Sequence, residues 1–181
     1  MNTPFEPACP APRQLALDTE AMDAARLGNA PDAGSDTWCR ELLVLLNGAL
    51  ATELICVLRY KRHHFTAHGL ASPHIAAEFA VHAAEEMMHA DRLAQRIVQL
   101  GGLPDFNPET LTLHGHATYN AELALPEMIE ANLAAERVAI ESYSQLVRLV
   151  GDRDPSTRRL LEDLLADEQR HAEELRGWLA A

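Results

Sequence analysis

Residues 83 to 93 read A-A-E-E-M-M-H-A-D-R-L. They lie inside a long pattern of helical period, and stepping three and four residues at a time gives one face: Ile75, Phe79, His82, Glu86, His89, Leu93, Ile97 and Leu100. A face otherwise suited to a protein interior therefore carries an acid and imidazoles at its centre. The same interruption recurs near the C-terminus, where Leu161, Leu164, Glu168, His171, Leu175 and Trp178 form one face with Glu and His again three residues apart.

Two further helical patterns each carry one acid. The first gives Leu42, Leu46, Ala49, Glu53, Val57, Tyr60 and His64; the other gives Ile129, Leu133, Glu136, Ile140, Tyr143, Val147 and Val150. In both, Tyr follows Glu by seven residues, close to two helical turns, so the two share a face. The chain thus repeats Glu-x6-Tyr, a turn, then Glu-x2-His, with Glu53 to Glu86 spanning 33 residues and Glu136 to Glu168 spanning 32.

Helix ends are marked by punctuation. The first segment runs from about Asp36 to Thr66, ending near Gly69; Ser72 and Pro73 open the second, which Gly101-Gly102 ends; Pro126 opens the third, closed by Gly151; Asp154 and Pro155 open the fourth. Links 67 to 72 and 151 to 154 are short and predict antiparallel neighbours, whereas 101 to 125 is long enough to cross the bundle. The expected fold is all-α: a four-helix bundle with one long crossover between helices two and three. At about 1.5 Å per residue, the four acids fall at one level, roughly 20 Å from the hairpin ends. Residues 1 to 34, rich in proline, are expected to form an arm, and residues 35 to 181 the bundle.

Composition agrees. A chain of 181 residues with 48% apolar but only 5% aromatic residues, and few β-branched windows, suits one helical domain. Cys9, Cys39 and Cys56 are odd in number and far apart, which indicates neither a disulfide framework nor a thiolate zinc site. Net charge is -12 and Lys61 is the single lysine, so no nucleic-acid partner is expected. No apolar run is read as spanning a bilayer and no leader pattern opens the chain, which places the protein in the cytoplasm without membrane attachment.

With 17 Glu and 9 His, about one E-x-x-H pair arises by chance. The weight lies in the combination: both pairs fall on interior faces, at matched heights, opposite two more interior acids. Four ionised carboxylates in a bundle core cost several kcal/mol each, and no Arg or Lys on those faces pairs with them. Two divalent ions balance four carboxylates, with imidazoles as neutral ligands. Oxygen-rich ligation with one imidazole per ion suits iron or manganese better than zinc.

The stretches E-L-I-C-V-L-R-Y-K-R-H from Glu53, E-M-M-H-A-D-R-L-A-Q-R-I-V-Q-L-G-G-L-P from Glu86, A-E-R-V-A-I-E-S-Y around Glu136 and R-R-L-L-E-D-L-L-A-D-E-Q-R-H from Arg158 resemble ferritin-like di-iron carboxylate proteins, and bacterioferritin in particular. The ligand set above is the general description of that group. The resemblance implies a ferroxidase with two iron ions per subunit held by Glu53, Glu86, His89, Glu136, Glu168 and His171, with Glu86 and Glu168 bridging. It implies a role for Tyr60 beside the centre as electron donor or hydrogen-bond partner. Met87 falls where bacterioferritin ligates haem b between two subunits, although a lone helical methionine also simply packs.

The chain stops ten residues after His171, short of bacterioferritin's fifth helix, so shells of about twelve or about twenty-four subunits and a plain dimer all stay open. Leu43, Leu45, Leu50, Leu54 and Leu58 lie off the interior face of the first helix and predict at least a homodimer. The expected activity is oxidation of Fe(II) by O2 or H2O2 with iron storage. A peroxide-reducing or catalase-like Fe or Mn enzyme, and a haem- or metal-binding oligomer without turnover, are the alternatives. His64 and His82 are expected either beside the ligands or bonded to backbone carbonyls; His114 and His116 in a loop or at a surface metal contact; Glu85 and Glu141 in solvent or an interface.

Overall fold

The computed structural model describes residues 33–67 and 72–180. Helices α1 (Ala33–Thr66), α2 (Ser72–Gln99), α3 (Leu111–His114), α4 (Leu125–Val150) and α5 (Pro155–Leu179) follow in order, with no strand among the described residues. The all-α bundle expected from the sequence is the fold observed. α1 pairs chiefly with α2, and α4 with α5, as the short links require. The expected arm lies outside the described residues apart from its last two, which already belong to α1.

Local chemistry sets the ends. Pro126 and Pro155 occupy first-turn positions, where a missing N–H costs nothing. Gly101 and Gly151 take positive φ, 83° and 51°, beyond the ends of α2 and α4. Asp154 caps α5 by accepting from the Ser156 and Thr157 N–H groups at 3.1 and 3.0 Å. Its other oxygen takes a 2.6 Å ion pair from buried Arg96 of α2, which also donates to Thr157 Oγ1 at 2.7 Å. One cap thus fastens the second hairpin to the first.

The crossover is held mostly by polar groups of α1. Thr52 Oγ1 accepts from His116 N at 2.9 Å, Asn47 Oδ1 accepts from Asp105 N at 2.8 Å, and Arg59 donates to the Thr118 carbonyl at 3.1 Å. Arg59 is wholly buried and also donates to Asn132 Oδ1 of α4 at 2.8 Å. The one-turn α3 in this crossover had no counterpart in the sequence pattern, because four residues are too few to display a period.

The apolar interior is divided in two. One cluster includes Leu42, Leu46, Leu93, Ile97, Leu146, Val150, Leu161 and Leu164; the other includes Ile55, Tyr60, Ile75, Phe79, Met128, Leu133 and Leu175. Along each long helix the break falls at the interior acids, so a polar layer crosses the bundle between two apolar ones.

Three expectations need correction. Thr37–Thr66 is long and apolar enough to cross a membrane by length and composition, though 61% of its window is buried against the bundle. A central helix covered on several sides satisfies the same test. Leu50, expected off the interior face, is fully buried, while Leu58 is exposed and Leu43, Leu45 and Leu54 are half-covered. Cys56 is a free buried thiol, but Cys39 is disulfide-bonded, which the odd cysteine count did not announce.

Asp154→Ala removes the α5 cap and leaves Arg96 buried without its counter-ion. It is expected to lower stability by about 3 kcal/mol, read as a reduced urea midpoint; a change below about 1 kcal/mol would contradict the fastening role.

Candidate metal centre

Each of the four long helices presents its acid at the polar layer. Glu53, Glu86, Glu136, Glu168, His89 and His171 are all buried, at most 3% exposed. Their ligand atoms form two groups, each lying within 4.8 Å: Glu53, Glu86, His89 and Glu168 in one, and Glu86, Glu136, Glu168 and His171 in the other. All six residues singled out by spacing are therefore brought together.

The geometry inside each group is centred on a histidine Nδ1. His89 Nδ1 lies 3.0 Å from Glu168 Oε1, 3.2 Å from Glu86 Oε2 and 3.6 Å from Glu53 Oε2. His171 Nδ1 lies 3.4 Å from Glu86 Oε1, 3.6 Å from Glu168 Oε2 and 3.9 Å from Glu136 Oε2. Glu86 and Glu168 thus turn one oxygen to each group, as bridging carboxylates do. Glu53 and Glu136 each serve one group only.

Glu86 Oε1, Glu136 Oε2, Glu168 Oε2 and His171 Nδ1 are buried without a hydrogen-bond partner, and all four belong to the same group. Buried polar atoms left unpaired are costly, and four converging lone pairs are what a cation satisfies. Buried Arg59 does not answer this need, since its partners are Asn132, Thr118 and Cys56. The donor set of carboxylates and one imidazole per group fits two divalent ions of the iron or manganese kind.

Protonation reflects the same crowding. Burial, reinforced by the neighbouring Glu168 and Glu86 charges, raises the pKa of Glu53 and Glu136. Burial also acts upward on Glu86 and Glu168, but the adjacent His171 and His89 imidazoles outweigh it and hold both below the ordinary carboxylate value. Burial disfavours charged imidazole at His89 and His171, yet the close carboxylates, Glu168 first among them, raise both, His171 to about 10. The upward shifts at Glu53, Glu136, His89 and His171 favour bound protons in the layer, and a pair of divalent ions would compete with those protons.

The tyrosines pair across the bundle rather than along it. Tyr60 of α1 donates to Glu136 of α4, and Tyr143 of α4 donates to Glu53 of α1, both through short hydrogen bonds. Spacing put each Tyr on the face of its own Glu, and only the packing shows that each serves the other. Tyr60 was singled out from the sequence, Tyr143 only as part of a repeat. Both hydroxyls are buried, which raises their pKa.

Other residues sort clearly. His82 lies beside the site, with Nδ1 3.2 Å from the Tyr60 hydroxyl and Nε2 2.9 Å from Glu174. His64 instead meets the Ala76 carbonyl at 2.6 Å. Glu85, expected in solvent or an interface, reaches inward to His171 Nε2 at 2.7 Å; it adjoins the interior face, and its length lets it fold back onto the ring. His114 pairs with Asp105 at 3.3 Å, and neither His114 nor His116 joins a metal-sized group among the described residues. Met87 is 39% exposed on α2, outside both groups.

Comparison with known proteins places this geometry in context. The profile of the ferritin-like domain matches residues 43–181. Bacterioferritin of Desulfovibrio desulfuricans is 31% identical over 132 residues, 72% of this chain and 70% of that protein. A nutrient stress-induced DNA-binding protein of Synechococcus sp. is 30% identical over 144 residues, covering 75% and 78%. Among solved structures, a dodecameric thioferritin related to bacterioferritin, from Bacteroides fragilis, superposes with a TM-score of 0.76 at 26% identity, covering 78% of this chain and 86% of that one. The D. desulfuricans bacterioferritin, whose structures describe its diiron site in different catalytic states, gives 0.70 at 27% identity, covering 80% and 81%.

The protonation pattern fixes the sign of a pH effect. Glu53, Glu136, His89 and His171 bind protons more tightly folded than unfolded. Their contribution is present below the unfolded values, about 4.3 for Glu and about 6.5 for His, and is lost as pH rises toward the folded ones. Glu86 and Glu168 act oppositely, and their contribution is lost as pH falls below the ordinary carboxylate range. The metal-free protein is expected to melt highest near pH 5 to 6 and progressively lower toward pH 9, with saturating divalent metal removing the decline. A metal-free melting temperature that rises over that interval would contradict the assignment.

Proposed function

The chain belongs to the ferritin-like family, and from that premise we propose that it is a ferroxidase, oxidising Fe(II) with O2 or H2O2 and contributing to iron storage and detoxification. The observation that carries this is the pair of four-residue groups sharing Glu86 and Glu168, with the lone pairs of the group around His171 left buried and unpaired. We assign Glu53, Glu86, His89 and Glu168 to one Fe(II) and Glu86, Glu136, Glu168 and His171 to the other. The relatives named bacterioferritin, and the diiron site described for one of them, support the same assignment.

Fe(II) is the substrate as well as the occupant. Two Fe(II) lose one electron each, and one H2O2 takes both with two protons to leave two waters. The chain's residues would hold the ions between the four helices, with Glu86 and Glu168, which turn one oxygen to each group, shared by both. Tyr60 and Tyr143 orient Glu136 and Glu53 by donating to them, and Tyr60 is an oxidisable side chain in direct contact with Glu136. The apolar clusters above and below exclude water, so the carboxylates answer the ions rather than solvent.

The working unit is the bundle of residues 35 to 181, acting in the cytoplasm as a homo-oligomer. Exposed apolar side chains on α1 and α2, among them Val44, Leu58, Val81 and Met88, support association. The dodecameric assembly of the B. fragilis protein supports a shell of that kind.

Anaerobic titration is expected to show two Fe(II) bound per chain, followed by rapid ferric absorbance on admission of air or peroxide. Uptake continuing well beyond two per chain is the signature of storage. Peroxide consumed catalytically without net iron uptake would favour a peroxidase instead. Glu86→Ala touches both groups and is expected to abolish both the pairwise binding and the metal-induced rise in melting temperature. A full rise in that variant would overturn the site.

A further inference from the structure

The two histidines of the centre aim Nδ1 inward, and their outward Nε2 atoms meet a second set of acids. His171 Nε2 lies 2.7 Å from Glu85 Oε2, and His89 Nε2 lies 3.4 Å from Asp167 Oδ2. His82, stacked on His171 with ring centroids 4.2 Å apart, meets Glu174 Oε2 through Nε2 at 2.9 Å. Each of three buried imidazoles thus faces a carboxylate of its own.

Those carboxylates converge on one side chain. Arg170 Nη2 lies 3.2 Å from Glu85 Oε2 and 3.4 Å from Asp167 Oδ1, and Nη1 lies 3.4 Å from Glu174 Oε1. Nη2 is also 3.4 Å from His171 Nε2, but the shorter contact to Glu85 assigns that ring's outward proton to the carboxylate. Arg170 follows Glu168 by two positions and precedes His171 by one, so its own side chain leaves the interior face and arches over the outside of the site.

We propose that Arg170 is a positioning residue for the metal centre: by engaging Glu85, Asp167 and Glu174 together it keeps a carboxylate on the outward nitrogen of His171, His89 and His82, and so aims His89 and His171 Nδ1 at the ions. A neutral imidazole carries one N–H. Holding it on Nε2 against a carboxylate leaves the lone pair on Nδ1, fixes the ring's rotation and makes Nδ1 a stronger donor. Three carboxylates this close repel one another and would swing toward water. A guanidinium presents several donors in a fixed fork and engages the three from two separate nitrogens, whereas an ammonium is a single point on a flexible stem that matches their spread less well. Arg170 and its partners are one-quarter to two-fifths exposed, so each ion pair adds little to folding. The consequence of losing Arg170 therefore falls on ligand aim rather than on the fold.

The proposal rests on the two-ion site above, and the test separates the two. Full-length protein is titrated with Co(II) against a competing chelator, and the Zn(II)-loaded form is examined by nitrogen-15 NMR of the histidine rings. Arg170→Ala is expected to weaken Co(II) affinity about tenfold or more. It should also shift or broaden the Nε2–H signals of His171 and His89, with little change in the metal-free urea midpoint. Arg170→Lys, which keeps the charge but not the fork, is expected to recover only part of the affinity. Unchanged affinity and ring signals in Arg170→Ala would overturn the proposal, as would full recovery by Lys. Wild-type protein that fails to bind two Co(II) per chain would overturn the two-ion site, and this proposal with it.

Discussion

The structure depends on an electrostatic conflict: four carboxylates meet in the middle of a helical bundle where no arginine or lysine neutralises them. Taken as ionised groups in a low-dielectric interior they would oppose folding. Upward pKa shifts at Glu53, Glu136, His89 and His171 favour their protonated forms and lessen the conflict in the bare protein, and a pair of divalent ions would balance four carboxylate charges. Protons and divalent ions would therefore compete for the same layer, and the rest of the molecule serves to keep that layer intact. Two apolar clusters, one on each side of it along the helices, supply the burial that holds the acids together.

The halves of the chain are not independent hairpins. Tyr60 and Tyr143 exchange partners, each leaving its own helix to hold the acid of the other, so the Glu-x6-Tyr repeat is a device that binds the halves at the level of the site. Arg96, reaching from α2 to the cap of α5, does the same near one end. Arg59, fixed to Asn132 and the crossover carbonyl, does so on the opposite side of the polar layer. Buried polar contacts between halves restrict the bundle to one register, because a slip of one helical step would orphan several at once.

Around the six buried acids and histidines lies an outer ring of half-exposed acids and one arginine, which links the polar layer to the surface. An inner shell of charged ligands needs its orientation fixed by neighbours that are themselves held. Here the neighbours come from α2 and α5, the two helices that also supply the histidines, so ring and restraint move as one unit.

The sequence by itself determined the four long helices, the long crossover, and the identity of the six residues that meet, because helical period and the position of Gly, Pro and Asp are local properties that a linear pattern displays. Matched spacing also put the acids at one height. Tertiary structure alone decided which tyrosine serves which acid, that Glu85, Asp167 and Glu174 turn back to the histidines, and that Arg170 joins them. It also decided that Arg59 is wholly buried and that a one-turn helix forms in the crossover. Those outcomes depend on distances between helices and on where flexible side chains end, and residues lying beside the interior face give no periodic signal of the direction in which they fold.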